Sequence, residues 1–319
     1  MTGPHSVRET VRVAHRLEDV HSDVEALAGG TDLSERLRSR VSTGPVMDIT
    51  RLPGLTGVET RPDGGLSIGA LTRLVEVAEH PDIRQRYPAL AESTAALATP
   101  QIRSAATLGG ALCQRTRCWY YRHPDLSCFK SGGSACLARN GNAFYGVAFD
   151  LGPCVHPHPS SVALGLMAYD ATIDTSRRGS VTLAELFGDG SDPTRDHQLG
   201  GGEVLTHVTL PQVGAGERCG HYRLMARRWA EWPLVECVVR LGLRESTVEL
   251  ARVCLGAVAN VPLRAPAAEA TLVGRAPTAE LIEEAAQGAV GDASPLEQTR
   301  YKLPLIVATV REALERALG

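Results

Sequence analysis

Apolar residues recur at helical spacing at Val7, Val11, Ala14 and Leu17, and the segment VEALAGG that follows is a short apolar run closed by glycines. This pattern predicts a helix, a buried strand and a turn. DLSERLRSR reads as a short helix and VMDIT as a second strand, which makes residues 1–55 a small parallel α/β unit. LSIGA opens a new strand. LTRLVEVAEH and YPALAESTAALAT follow as two helical patterns separated by the HPD and YP breaks, and lead to IRSAATLGGAL. Farther on, SSVALGLMAYDA is helix-like, and ATIDT and VLTHVTLP are strand-like. The glycine-containing stretch PQVGAGERCG marks a change of pattern and places a boundary near residue 215. Residues 216–319 then offer strands in LVECVVRLGL and VELARVCLGAV, and helices in TAELIEEAAQGAV and LIVATVREALERAL, the pattern of an antiparallel sheet backed by helices.

Composition narrows the class of partner. With 319 residues, 43% of them hydrophobic, the chain can build full cores without covalent staples. A formal charge of -3, with arginines scattered along the chain, gives no reason to expect nucleic acid or an anionic membrane. No apolar run approaches the roughly 20 residues that span a bilayer, and MTGPHSVRETVRVAHRL is a charged amphipathic segment without the apolar centre of a signal peptide. The expected compartment is the cytoplasm. Thiols stay reduced there, so eight cysteines, four of them gathered in one loop, speak for a metal or redox site before disulfides.

Two glycine turns could admit a phosphate to backbone N–H groups: Ala28-Gly29-Gly30-Thr31-Asp32, and Thr107-Leu108-Gly109-Gly110. Consecutive glycines can aim successive amides into one concavity, and Thr31 adds a hydroxyl at the mouth of a helix. Either could instead be a plain tight turn. No G-x-G-x-x-G follows the first strand and no G-x-x-x-x-G-K-[ST] occurs, which disfavours an ordinary dinucleotide fold or a P-loop ATPase.

Cys118, Cys128, Cys136 and Cys154 are separated by nine, seven and seventeen residues, in a loop rich in Gly and Pro. By spacing alone an iron–sulfur cluster, a zinc ion and unrelated buried thiols all stay open, although the close C-x2-4-C pair usual for zinc is missing. The loop has few apolar residues of its own, so a metal is expected to hold it. The Gly132 and Gly133 amides are candidates to face the sulfurs. Cys113 is read as the packed end of a strand in GGALC, and Cys237 and Cys254 as small buried hydrophobes. His156 and His158, beside Cys154, could be ligands but are expected as surface loop residues; Arg227-Arg228 with Trp229 and Trp232 could form an aromatic-basic patch for an acceptor or a flavin ring but are expected as a strand edge with packed indoles, and Glu280, Glu283 and Glu284 as the wet side of a helix.

AGGTDL, TLGG, QRTRCWYYR and the Cys-rich loop ending in CVHPHPS, in this order, resemble the flavin-binding medium subunit of molybdenum hydroxylases, the xanthine dehydrogenase and carbon monoxide dehydrogenase group. The chain looks nearest to the aldehyde oxidoreductase branch, whose flavin subunit also carries a four-iron cluster. The resemblance runs from about Val24 to the C-terminus. It implies an α+β chain: a two-subdomain FAD-binding fold, residues 1–55 and 56–215 with the Cys-rich loop 113–158, followed by a C-terminal α+β domain, 216–319. It assigns Ala28, Gly29, Gly30, Thr31 and Asp32, with Thr107, Gly109 and Gly110, to FAD, and places Ser161 beside them. Cys118, Cys128, Cys136 and Cys154 would hold a [4Fe-4S] cluster. The implied role is electron transfer from a [2Fe-2S] small subunit, served by a molybdopterin-binding large subunit, through FAD to an external electron acceptor. The substrate chemistry would lie on another chain.

Two departures bear on the flavin site. The family usually continues TLGG with Asn, where this chain has Ala111, and reads HPSD where Ser161 stands here. Losing an amide and a carboxylate removes about two hydrogen bonds of ~0.5–1.5 kcal/mol each, and so about one to two powers of ten in affinity. The opening residues also lack the aromatic-containing first strand typical of the family. The alternatives are a degenerate member that keeps the cluster and acts as a binding or assembly subunit or as a dedicated pathway enzyme, and a stand-alone zinc- or thiol-containing binding protein.

Overall fold

The computed structural model describes residues 11–214, 216–227 and 230–319. Strands Val11–Val13 (β1) and Glu25–Leu27 (β2), helix Leu33–Arg38 (α1) and strand Val46–Asp48 (β3) make the first unit, a three-stranded parallel sheet in the order β1-β3-β2. The helix expected from Val7 to Leu17 is replaced, over its described part, by β1 and a single 3-10 turn at Leu17–Asp19. β-branched Val11 and Val13 suit a pleated strand, and pairing with β3 outweighs a short apolar periodicity. Residues 7–10 of that expectation lie outside the described residues. Ala14, Val20, Met47, Ile49 and Leu55 form the unit's small core, which Leu71 and Val204 of the next unit close.

The second unit begins with Val58–Thr60 (β4) and Leu66–Gly69 (β5). Five short helices follow: Leu74–Glu79 (α2), Pro81–Arg86 (α3), Pro88–Ala95 (α4), Pro100–Ala105 (α5) and Leu108–Leu112 (α6). α3, α4 and α5 each have proline at the first position, where the missing N–H is not needed, so HPD starts a helix that the sequence reading treats as a break. GGALC is likewise the end of α6 and not of a strand. After a long irregular loop come Ser161–Ala168 (α7), Thr172–Thr175 (β6), Gly179–Thr182 (β7), Leu183–Phe187 (α8) and Leu205–Leu210 (β8). The strands form an antiparallel sheet in the order β4-β5-β8-β6-β7.

The third unit is the expected antiparallel sheet with helices. Its strands are Glu217–Met225 (β9), Pro233–Arg244 (β10), Thr247–Gly256 (β11) and Leu263–Arg264 (β12), in the order β12-β11-β10-β9, and its helices are Pro266–Leu272 (α9), Ala279–Gly288 (α10) and Lys302–Leu318 (α11). Both faces of this sheet are covered. Along β10, Val235, Cys237, Val239 and Leu241 point to the core built with α9, α10 and α11, whereas Val238 points to the core of the second unit. Charged residues fall on that second face with the same period. Arg240 donates to the Ala168 carbonyl at 3.1 Å, pairs with Glu217 at 2.7 Å and stacks 4.9 Å from the Tyr169 ring. The third unit is therefore sealed onto α7 of the second.

Cys237 and Cys254 are fully buried, as expected, and burial raises both thiols above their ordinary range. Glu280 and Glu284 lie on the exposed side of α10, and Glu283 pairs with Arg311 of α11 at 2.7 Å. A Cβ at Gly220 would lie 1.9 Å from the Ala313 carbonyl oxygen, so β9 and α11 meet backbone to backbone there. Gly220→Ala is expected to cost about 2–3 kcal/mol by overpacking, read as a lower denaturation midpoint, whereas alanine at open Gly274→Ala leaves packing untouched and is limited by its positive φ.

Candidate functional site

The two glycine turns, distant in sequence, face one groove of about 340 Å³ between the first and second units. Ala28 to Asp32 form one wall and Thr107, Gly109 and Gly110 another. Gly29 has no room for a side chain, since a Cβ would lie 2.0 Å from the Ala105 carbonyl oxygen, and Gly30 takes φ +70. Among the described residues, no protein acceptor engages the N–H groups of Gly29, Gly30, Thr31 or Asp32. A run of free amides at a strand-to-helix turn is the donor set that a pyrophosphate requires. The Asp32 side chain turns away to Arg122 at 2.7 Å and to Arg36 and Arg117 at 3.2 Å each. Burial would raise its carboxyl, but Arg122 and Arg117 outweigh it and hold the group below its ordinary value.

A third glycine run, missed in the sequence reading, completes the groove. Leu199 and Gly200 to Gly202 line it, and Cβ atoms at Gly201 and Gly202 would lie 2.6 and 2.7 Å from the backbone of Ser22 and His21. Glu203 shapes this turn by accepting the Gly200 N–H at 2.8 Å. The signal was present in the sequence as three consecutive glycines before a strand. Cys113, the C-cap of α6, also lines the groove, with its thiol pushed up to about 12 by burial.

The four loop cysteines converge. Cys118 and Cys128 share a small core with Tyr121, Ala143, Val147 and Val155, against which Cys136 packs. The loop thus has apolar residues enough to fix itself, contrary to the expectation from its composition. The Cys136 and Cys154 thiols act on each other, lowering the first and raising the second, and Cys118 feels both Cys136 and Cys128. Burial raises the Cys118 thiol, and Cys136 and burial raise that of Cys154, against the pull of nearby backbone N–H groups of Tyr121 and Tyr120 and of His156; Cys136 falls below its ordinary value through Cys154 and the N–H groups of Val155, Arg139 and Ala138. The Gly133 N–H does not serve this way, because it closes the turn onto the Cys128 carbonyl at 2.8 Å. All eight cysteines are free. Among the described residues, no three His, Cys, Asp or Glu side chains close on a single ion.

Beside this pocket, between the loop and the start of β10, lies a cavity of about 440 Å³. Trp119, Tyr145 and Trp232 supply aromatic walls, and Cys118 and His156 line it too. Trp232 is 42% exposed, with the Arg117 guanidinium 4.8 Å from its ring centre, so it is a cavity wall and not a packed strand edge. Arg227 pairs with Glu231 at 2.6 Å, and Arg228 and Trp229 lie outside the described residues. His158 is buried and His156 half-buried on the cavity wall: burial draws both imidazoles down to about 4, and the His156 Nδ1 lies 3.0 Å from Thr116 Oγ1. Ser161 is outside the glycine groove, contrary to its assignment. Its hydroxyl donates to Glu236 at 2.5 Å and accepts from Arg223 at 2.7 Å, buried against the third unit.

Asp196 ties the cysteine loop to the groove. Lys130 lies 3.0 Å and Arg115 2.8 Å from its carboxylate, and Lys130 and Asp196 are almost fully buried. Burial would raise the Asp196 carboxyl, but the two cations outweigh it and hold it at about 2, below its ordinary 3.8. A depressed acid of this kind stabilises the fold above its unfolded pKa and loses that contribution as the pH falls from 3.8 through about 2. Asp196→Asn is expected to cost about 3–5 kcal/mol at neutral pH by leaving Lys130 buried without its partner. Denaturation measured against pH checks this, because the variant should also lose part of the acid dependence in that window.

Comparison with known proteins agrees with this geometry. Residues 1–213 match the family described as the FAD binding domain in molybdopterin dehydrogenase, and residues 220–317 match the CO dehydrogenase flavoprotein C-terminal domain. The chain is 32% identical to the aldehyde oxidoreductase FAD-binding subunit PaoB of Escherichia coli (strain K12), over 91% of this chain and 90% of that protein. It is 27% identical to the carbon monoxide dehydrogenase medium chain of Hydrogenophaga pseudoflava, over 99% and 94%. The solved carbon monoxide dehydrogenase of the same organism superposes with a TM-score of 0.75 at 24% identity, covering 97% of this chain and 96% of that one, a likeness of fold. With both halves matched in order, the chain belongs to the family of FAD-binding medium subunits of molybdenum hydroxylases.

Proposed function

We propose that this chain binds FAD along the glycine groove and into the aromatic cavity, and carries a [4Fe-4S] cluster on Cys118, Cys128, Cys136 and Cys154. It would work as the electron-transfer subunit of a molybdenum hydroxylase in the cytoplasm. Its partners would be a molybdopterin-binding large subunit and a [2Fe-2S] small subunit, with an external acceptor as the outlet. Residues 1–55, 56–215 and 216–319 are its three working units.

The observation that carries this reading is continuity. Gln114 and Arg115 of the groove lead within a few residues to Arg117 and Cys118 of the cavity, so the phosphate-binding turns, the aromatic walls and a thiol pocket adjoin. Bound there, FAD and a cluster supply reversible uptake of electrons. The free amides of Gly29 to Asp32 bind phosphate oxygens, and Trp119, Tyr145 and Trp232 offer flat apolar surface that keeps water from a ring. The Cys136 thiol is held below its ordinary value by Cys154 and by nearby backbone N–H groups, which favours its thiolate, and Cys118, Cys128 and Cys136 gather at one small core with Cys154 beside Cys136. Ser161, bound to Glu236 and Arg223, contributes no hydrogen bond within the groove, which agrees with weaker flavin affinity than an acid there would give.

Protein purified without oxygen should contain flavin, iron and sulfide. Cys128→Ser should lose iron, whereas Cys237→Ser should keep it; full iron in the first variant, or zinc in the wild type, overturns the cluster. Added FAD should quench tryptophan emission, and Trp232→Ala should weaken its binding by about three- to tenfold, the worth of one aromatic contact. Iron without flavin, and no binding of added FAD, would leave a cluster-bearing binding or assembly subunit. Purification from the native host should bring down one larger and one smaller chain.

A further inference from the structure

Lys302, the first residue of α11, carries a charge that no carboxylate among the described residues answers. Its side chain is 1% exposed. Among the described residues, no carboxylate lies within ion-pair distance of its ammonium, which instead donates to the carbonyl of Ala257 at 2.8 Å and approaches that of Tyr145 at 3.5 Å. It also stands at a helix N-terminus, the positive end of the peptide dipoles, where a cation is disfavoured. Burial alone draws the amine down to about 7. Removing an ammonium from water costs several kcal/mol unless an opposite charge is close, and an unbranched apolar side chain would fill the same space without that cost.

The position of the charge points to its use. Both carbonyls that hold Lys302 belong to residues lining the aromatic cavity, and its charge reaches His156, on the same wall and two residues from Cys154. We propose that Lys302 is the counter-charge for an anionic redox centre seated at this wall, either a flavin ring that has taken up electrons or a thiolate-held iron–sulfur cluster. The proposal rests on the electron-transfer reading above. Each centre gains negative charge on reduction, and a fixed ammonium in a poorly screened interior stabilises the added electron. Lys302 is then a positioning residue for charge and touches neither centre through a bond.

The test compares Lys302→Met and Lys302→Arg with wild type in the full chain, with cofactors and after their removal. Reductive titration with dithionite reads the flavin by visible absorption and the cluster by its paramagnetic resonance. Lys302→Met should lower the reduced-to-oxidised ratio of the served centre about tenfold at a fixed potential, which is about 59 mV for a one-electron couple. Lys302→Arg should stay near wild type, and whichever centre moves more identifies the source of the anion. Without cofactors, Lys302→Met should be at least as stable to denaturant as wild type. Unchanged potentials at full flavin and iron content, or equal destabilisation of Lys302→Met with and without cofactors, overturns the proposal and makes Lys302 a structural tie. Should the chain carry neither flavin nor iron, the functional reading fails separately. The cofactor-free comparison then decides Lys302: a less stable Met variant overturns the proposal, and a more stable one supports an unanswered charge at the wall.

Discussion

Asp32 holds the two halves of the candidate site together. It stands where the first glycine turn enters α1, and its carboxylate accepts from Arg122 at 2.7 Å and from the Arg115 N–H at 3.2 Å, with Arg36 and Arg117 also in contact. Glu35, one turn on, pairs with the same Arg117 and Arg122. Two carboxylates at the start of α1, Asp32 before it and Glu35 within it, thus fix the segment from Arg115 to Arg122, and with it Cys118 and Trp119. Arg36 joins from the other side through Glu25 at 2.7 Å. Because most of these side chains are buried or nearly so, removing one partner strands its neighbours in a medium that cannot solvate them. An acid that the sequence offered as a cofactor contact is the joint between the first glycine turn and the cysteine loop.

In the thiol pocket, burial and backbone amides act on the cysteines in opposite directions. Arginine pairs surround the loop; burial raises Cys118, Cys136 together with burial raises Cys154, and the N–H groups of Tyr120, Tyr121, Ala138, Arg139, Val155 and His156 act to lower the three thiols. Such donors belong to the main chain and need no particular side chain. Lys130 adds one cation close to Cys154 while its own charge is answered by Asp196. A small apolar core holds these pieces in place.

Coupling between the units comes from a sheet used on both faces. The period-2 alternation of β10 sends aliphatic residues toward α10 and α11, and Glu236, Val238 and Arg240 toward the second unit. Through Glu236, Ser161 and Arg223, that inner face is hydrogen-bonded to the Glu231 carbonyl, one residue before Trp232. The entrance to the aromatic cavity is therefore held by the interface between units.

Much of this was legible in the sequence, because it depends on local chemistry. Glycine pairs after apolar runs marked both turns of the groove, alternating and helical patterns marked the sheet and helices of the third unit, and four thiols in one reduced loop marked a pocket. What the sequence left undecided depends on partners far along the chain. β1 is a strand because β3 lies beside it, the loop is ordered because Asp32 and Asp196 reach it from other elements, and Ser161 faces Glu236 because two units share a sheet. The same holds for His156 and His158 and for Lys302, whose environments are assembled from distant segments. Spacing along a chain reports which groups are present and how they can turn; which charges are answered, and by what, is set only when separate segments pack and exclude water.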